Sequence, residues 1–121
     1  MSTDGRDFDA FLSAVRAFRD ERDWARFHNP KDLAVSISIE AAELLERFQW
    51  KDAAEVEAQL ADPESHRAVA DEMADVLILL ASLSDAARVD LLDAAFDKLR
   101  RNAEKYPVEK ARGRAEKYDR L

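Results

Sequence analysis

Two apolar stretches that carry acids decide how this chain folds: IEAAELL at residues 39–45 and DEMADVLILL at residues 71–80. In each stretch two acids stand three residues apart, which places them on one face of an α-helix, roughly 60° apart around its axis. The four acids are Glu40, Glu43, Glu72 and Asp75. Because a buried carboxylate is costly unless a positive group meets it, two such pairs in apolar helices predict a site for a hard cation.

The oxygen-only ligand set indicates which metal this site would hold. Carboxylates alone favour Mg²⁺, with Mn²⁺ as a substitute. A ferritin-type di-iron site uses Glu-x-x-His on two helices, and neither His28 nor His66 has that spacing, so redox iron is not expected. The alternative is that the acids are ordinary surface charges, with Glu43 paired to Arg47 one helical turn later.

Composition limits the class of protein. With 121 residues, 47% apolar residues and two glycines, we expect one folded, helical domain. The absence of cysteine excludes disulfides, thiolate zinc sites and cysteine nucleophiles, and fits a cytoplasmic location. A net charge of −7 disfavours nucleic-acid binding. Residues 1–9 do not resemble a signal peptide, and the longest apolar run, residues 76–81, is too short to cross a membrane.

Helix-start signals predict an all-α bundle of four main helices. Asn29-Pro30 and Asp62-Pro63 each combine an N-cap residue with proline at the first helical position. With the apolar spacing between them, they predict helices at about 7–23, 30–49, 63–87 and 90–105, and a short helix at 53–60. The apolar residues of the last helix (Leu91, Leu92, Ala95, Phe96, Leu99) and those of the third (Val69, Met73, Val76, Leu80, Leu83) are expected to face inward.

The short helices and the abundant Leu, Ile and Ala also indicate that some apolar surface is left for a partner subunit. Pro107 ends the last helix. We therefore predict a folded domain over residues 1–107 and a charged, mobile tail over residues 108–121.

The last helix carries a second group of candidate site residues. Lys98, Arg101, Asn102 and Lys105 fall within roughly 100° of its circumference. They could form a face that binds phosphates. The alternative is that these cations simply favour the negative end of the helix dipole.

Aromatic residues near the ends of the second predicted helix form a third group. Trp24 and Trp50 bracket this helix, and an indole ring can stack on a nucleobase. The alternative is that both rings pack at the ends of the bundle. His28 is expected to form hydrogen bonds or to cap a helix rather than to bind metal, and His66 is expected to be exposed.

Four motifs then point to a known family. In order along the chain they are ERDWARFHNPKDLA, SIEAAELLERFQW, DEMADVLILL and KLRRNAEKYP, and the resemblance that they carry covers about residues 8–107. The combination resembles the MazG-like all-α nucleoside triphosphate pyrophosphohydrolases, and within them the small dCTP pyrophosphatase type. The resemblance implies Mg²⁺-dependent cleavage of a nucleoside triphosphate between the α and β phosphates, and assembly into dimers or tetramers whose pockets are shared between chains.

The resemblance also assigns roles to individual residues. It implies that the four acids bind Mg²⁺ and act in catalysis. It implies phosphate contacts from Lys98, Asn102 and Lys105 with Tyr106 nearby, and a base pocket that uses Trp24, His28 and Trp50. One position departs from the pattern, because Leu79 stands where some dCTP-type members have a tyrosine. Two other functions remain open from the sequence: a non-catalytic helical interaction module, and a hydrolase of a modified nucleotide.

Overall fold

The chain folds into helices joined by short turns. The computed structural model describes residues 6–120, and no β-strand occurs in that part of the chain. The helices are α1 (Phe8–Glu21), α2 (Pro30–Glu46), α3 (Ala53–Ala61), α4 (Pro63–Ala87), α5 (Leu91–Lys105) and α6 (Val108–Ala111), with 3₁₀ turns at Ala25–Phe27 and Tyr118–Arg120. The predicted all-α class is confirmed. The helices form two compact units, one ending at Arg88 and the other beginning at Val89.

Side-chain caps explain where the two long helices begin. The Asn29 carboxamide oxygen accepts the backbone N–H of Asp32 at 2.9 Å, and the Asp62 carboxylate accepts the N–H of Ser65 at 2.9 Å. Proline follows each cap, where its missing N–H has no consequence. Both predicted helix starts are therefore confirmed, and His66, in the first turns of α4, is exposed as expected.

The end of α2 differs from the prediction. The helix was expected to reach about Gln49, but it ends at Glu46 and residues 47–50 form turns. Trp50 closes this segment with a φ of 68°, a left-handed conformation that is unfavourable for a residue with a Cβ atom. Asp52 then starts α3 through a capping box with Glu55, so the chain turns without a glycine.

The packing of the first unit is centred on α4. Helix α2 makes the most extensive contact with it, and α3 and α1 also lie against it. Only three apolar residues, Leu33, Val69 and Ala81, are buried in the described part of the chain. Several large apolar side chains on α2 and α4 remain between 46% and 58% exposed; this exposed apolar set consists of Val35, Ile39, Leu45, Met73 and Leu77.

Two expectations about inward-facing residues are wrong. Met73 is 57% exposed although its spacing placed it in the seam of α4. In the second unit no residue of α5 is buried, and Phe96 and Leu99 are 69% and 63% exposed. Their apolar stripe is real, but within their own unit α5 has only one short helix and a 3₁₀ turn as neighbours. An amphipathic stripe of this length needs a larger partner surface.

The segment after Pro107 contains some local structure. Besides α6 and the 3₁₀ turn, the Tyr106 and Tyr118 rings meet edge to face with centroids 6.1 Å apart. The domain boundary predicted at residue 107 stays a prediction. Among the described residues, no helix combines the length and apolar character that a membrane span requires.

Candidate functional site

The contact between α2 and α4 gathers three of the four predicted acids. One carboxylate oxygen from each of Glu40, Glu43 and Glu72 lies within 4.8 Å of the others. Glu40 and Glu43 stand on successive turns of α2, and Glu72 comes from the middle of α4. The spacing within each helix aims the acids at one region, and the packing of the two helices then closes the group. We call these three residues the acidic cluster.

Asp75 stands one turn beyond Glu72 on α4, at the margin of this cluster. No Asp75 oxygen is part of the group of three carboxylate oxygens that lie within 4.8 Å of one another, and Asp75 is exposed. Its negative charge nevertheless contributes to raising the pKa of Glu40, which places it close by. Its role as a fourth metal ligand stays a prediction.

The electrostatics of the acidic cluster favour a positive ligand. Hydrogen bonding to Glu43 raises the pKa of Glu40, and burial and the charges of the neighbouring acids (Glu43, Asp75, Glu72) act in the same direction. Oε2 of Glu40 and Oε2 of Glu72 are both buried and have no hydrogen-bond partner within residues 6–120. Buried acceptors without a donor are rare and unfavourable. An oxygen-only set with two such atoms fits a hard cation of the Mg²⁺ type.

Arg47 is the residue at this site whose role the sequence did not reveal. Its Nη2 atom donates to Oε1 of Glu72 at 3.3 Å. The alternative pair, Glu43 with Arg47, is not found in the described part of the chain. Arg47 lines a cleft of about 510 Å³ together with Glu43, Glu46 and Glu72. The helical i, i+4 rule considers only one helix, so it could not indicate a partner on α4.

A second cavity of about 360 Å³ lies between α1 and α4 and the segment that precedes α2. Trp24 and His28 both line it, so the structure brings these two predicted residues together. The Trp24 ring packs edge to face on Phe18, with centroids 5.8 Å apart. Leu79 lines the same cavity, so the departure from the family pattern falls directly in the candidate base pocket. The other lining residues are mostly apolar: Phe11, Ala14, Val15, Arg19, Ile78 and Ser82.

The predictions for His28 and Trp50 are only partly met by the structure. Nδ1 of His28 is buried and has no hydrogen-bond partner among residues 6–120, whereas the capping alternative is confirmed, because His28 is the C-cap residue of the 3₁₀ turn and its backbone N–H donates to the Ala25 carbonyl. Trp50 is 90% exposed and does not line the cavity that contains Trp24. Within one chain, the two tryptophans therefore do not form a single pocket.

The predicted phosphate-binding residues belong to the second unit. Lys98, Asn102 and Lys105 lie on α5, and Tyr106 is its C-cap residue. Arg101 of the same face is paired with Asp97 at 2.9 Å. The Lys105 ammonium lies 5.0 Å from the centre of the Tyr118 ring. The contact of these residues with phosphates stays a prediction.

The family of the chain follows from comparison with known proteins. Residues 35–121 match the MazG-like family, and the chain belongs to this family, as the four motifs predicted.

Individual relatives agree with this assignment. The chain is 42% identical over 104 residues to dCTP pyrophosphatase 1 of Rattus norvegicus and 40% identical over 104 residues to dCTP pyrophosphatase 1 of Homo sapiens. These matches cover 86% of this chain but 61% of each relative, so the chain spans about three fifths of the length of these proteins. A crystal structure of a pyrophosphatase from Archaeoglobus fulgidus superposes with a TM-score of 0.74 at 45% identity, over 82% of this chain and 91% of that one.

Proposed function

We propose that this protein is a Mg²⁺-dependent nucleoside triphosphate pyrophosphohydrolase. It cleaves a (deoxy)nucleoside triphosphate between the α and β phosphates and yields the monophosphate and pyrophosphate. The proposed substrate is dCTP or a nucleotide that resembles it. The acidic cluster, with its two buried carboxylate oxygens that have no donor, carries this proposal. The relatives named dCTP pyrophosphatase and the fold shared with a pyrophosphatase support the same reaction.

The cluster supplies the ligands that this chemistry needs. Glu40, Glu43 and Glu72 would hold the metal, with Asp75 as the fourth acid. When bound, Mg²⁺ offsets the negative charge that develops on the phosphate oxygens in the transition state. Mn²⁺ would serve as a substitute because it prefers the same oxygen ligands.

The remaining chemistry belongs to the chain's own residues. A water molecule attacks the α-phosphorus, the bond to the bridging oxygen breaks, and one carboxylate of the cluster accepts the proton that the water loses. Pyrophosphate is the leaving group. Lys98, Asn102 and Lys105 of α5, with Tyr106 nearby, are proposed to bind phosphate oxygens of the nucleotide.

The cavity beside α1 is proposed to hold the base. Its aromatic and aliphatic walls fit a flat ring, with Trp24 stacked on it and His28 at its side. Leu79 provides no hydroxyl donor, so the preference among bases depends on the other lining residues. Trp50 is proposed to complete the pocket of a second copy of this chain, because it is exposed on its own chain and the exposed apolar set offers a surface for self-association.

The proposed reaction is tested with a panel of nucleotides. Purified protein with Mg²⁺ is incubated with each NTP and dNTP and with modified nucleotides, and pyrophosphate release is measured. We expect release that stops on chelation of the metal, with dCTP among the best substrates. A preference for a modified nucleotide would support the alternative that the protein is a hydrolase of modified nucleotides. The absence of metal-dependent release from every substrate would favour the interaction module.

Variants of the acids connect this activity to the site. Glu43→Gln and Asp75→Asn are expected to lower the rate at least about 100-fold, because each removes a metal ligand and its charge. Glu57→Gln, at an exposed acid on α3, is the matched control and keeps full activity. Circular dichroism confirms that all three proteins remain helical. Near-complete activity in both Glu43→Gln and Asp75→Asn would disprove the assignment.

A further inference from the structure

The cleft beside the acidic cluster contains one cation among its acids. Its lining residues are Glu43, Glu46, Glu72 and Arg47. Arg47 extends from the turn after α2 and contacts Glu72 on α4. Its guanidinium group therefore contacts a carboxylate that the proposed metal ion would also use.

The ion pair between Arg47 and Glu72 is a weak one. A single contact of 3.3 Å joins Nη2 to Oε1, and the Arg47 side chain is 45% exposed whereas that of Glu72 is 14% exposed. Half-exposed ion pairs contribute little because water solvates the arginine nearly as well. Oε2 of Glu72 receives no donor from Arg47 or from any other described residue. A divalent ion held by the acidic cluster would compensate the charge of Glu72 and would compete with Arg47 for this carboxylate.

A displaced arginine would still face the cleft. Its planar guanidinium carries N–H donors in a fork that matches two oxygens of a phosphate group. We propose that Arg47 is a substrate-binding residue that exchanges Glu72 for a phosphate oxygen of the nucleotide when a divalent cation occupies the acidic cluster. The phosphate half of this inference rests on the proposed function, whereas the displacement by the cation does not.

A matched pair of arginine variants separates this role from a general loss of charge. Arg47→Met removes the guanidinium but keeps an unbranched side chain, and Arg47→Lys keeps the charge without the fork. Arg16→Met is the control, because Arg16 is 46% exposed and also pairs with an acid on α4, Asp85, at 2.7 Å. Arg19 keeps Asp85 paired in that variant, so the contact between α1 and α4 persists.

The first measurement uses metal alone. Mn²⁺ binding to the protein without nucleotide is titrated by electron paramagnetic resonance. We expect Arg47→Met to bind Mn²⁺ about two- to fivefold more tightly than the wild type, the size expected when one half-exposed ion pair no longer competes. Arg47→Lys falls between the two, and Arg16→Met matches the wild type. Equal Mn²⁺ affinity in Arg47→Met and the wild type would overturn the displacement.

The second measurement uses the phosphate chain at saturating Mg²⁺. Inorganic tripolyphosphate is tested as a competitive inhibitor, and KM is measured for dCTP. We expect Arg47→Met to raise the KM for dCTP and the inhibition constant of tripolyphosphate about tenfold each, since a charge-assisted hydrogen bond is lost. Arg16→Met should leave both constants unchanged. Arg47→Lys should show a smaller increase than Arg47→Met. Unchanged KM and tripolyphosphate inhibition in Arg47→Met would refute the phosphate contact.

The two proposals fail in different ways. If the wild type releases no pyrophosphate from any nucleotide, the proposed function is wrong, and tighter Mn²⁺ binding by Arg47→Met still supports the displacement. If the wild type is active but Arg47→Met behaves like Arg16→Met in both measurements, only the role of Arg47 is wrong.

Discussion

The charge of Glu40 in the acidic cluster lowers the stability of the folded protein. Its raised pKa means that the folded protein disfavours the charged carboxylate. At a pH below the ordinary value for glutamate, Glu40 is protonated in both states and has no such effect. As the pH rises through the window between the unfolded and the raised folded pKa, the unfolded state loses its proton first and the stability of the folded state falls.

We therefore expect Glu40→Gln to unfold at a higher temperature than the wild type in metal-free buffer at neutral pH. The difference should narrow as the pH falls to about 4, where glutamates take up protons. Scanning calorimetry with a chelator measures the melting temperatures of the two proteins at each pH, with Glu57→Gln as the control. Adding Mg²⁺ should raise the melting temperature of the wild type more than that of Glu40→Gln, because ligand binding stabilises only a site that is complete. A lower melting temperature for metal-free Glu40→Gln would contradict this account.

Trp24 allows the base pocket to be tested at a single residue. Trp24→Ala should raise KM for dCTP by about 5- to 100-fold, the range that loss of one stacking contact implies. The inhibition constant of inorganic tripolyphosphate, which has no base, should stay the same. Phe27→Ala is the control, since Phe27 is a neighbouring aromatic residue that is 60% exposed and does not line the cavity. A parallel loss for both ligands would indicate that Trp24 only supports the fold.

At the scale of elements, the cap of α4 connects helix stability to pH. The hydrogen bond that the backbone N–H of Ser65 donates to Asp62 is the main cause of a lowered pKa at Asp62, and a hydrogen bond from the Ser65 side chain acts in the same direction. A lowered pKa contributes stability at a pH above the ordinary aspartate value, and this contribution is lost as the pH falls through the folded pKa. Asp62→Asn keeps a good cap residue but has no charge for the helix dipole.

We expect Asp62→Asn to unfold at a lower urea concentration than the wild type at neutral pH. The two midpoints should converge in acid, where Asp62 is protonated in the wild type. Urea unfolding followed by circular dichroism at several pH values measures the difference, in which the effects of all other acids cancel. A difference between the two midpoints that does not change with pH would exclude the charge of Asp62 as its cause.

The same elements show what a sequence can predict. The starts of α2 and α4 were predictable because a cap such as Asn29 satisfies N–H groups only three residues away. The end of α2 was not, because its C-cap residue Arg47 keeps a right-handed conformation and the left-handed residue, Trp50, follows only after a turn and is not a glycine. The grouping of Glu40 and Glu43 follows from one helix. The pairing of Arg47 with Glu72 depends on how two helices pack, which no local spacing encodes.

At the scale of the whole molecule, the exposed apolar residues support the proposed association with a second copy. The exposed apolar set lies on the two helices that carry the acidic cluster, and α5 exposes Phe96 and Leu99 in addition. Exposed apolar residues that lie together can mark an interface between subunits. The burial predicted for α5 was wrong within its own unit, because sequence periodicity indicates an apolar stripe but not what covers it.

We expect light scattering after size-exclusion chromatography to give a mass at least twice that of the 13.8 kDa chain. Leu45→Arg places a charge at a side chain of the exposed apolar set that is 58% exposed, and it should shift the protein towards the monomer. Glu57→Arg, which changes charge at a polar position on α3, should keep the mass of the wild type. A monomeric wild type would rule out self-association, and an unchanged mass for Leu45→Arg would place the interface elsewhere.

The dominance of the contact between α2 and α4 also determines how the chain reaches its native state. The two helices are joined through residues 47–62, which include α3 with its own capping box. A connection this short makes their pairing a fast, local step, as in other helical proteins of low contact order. The same step brings three carboxylates together, so we expect their mutual repulsion to act already in the transition state for folding. Dissolved ions screen that repulsion as the helices meet, and the rate of refolding should therefore increase with ionic strength.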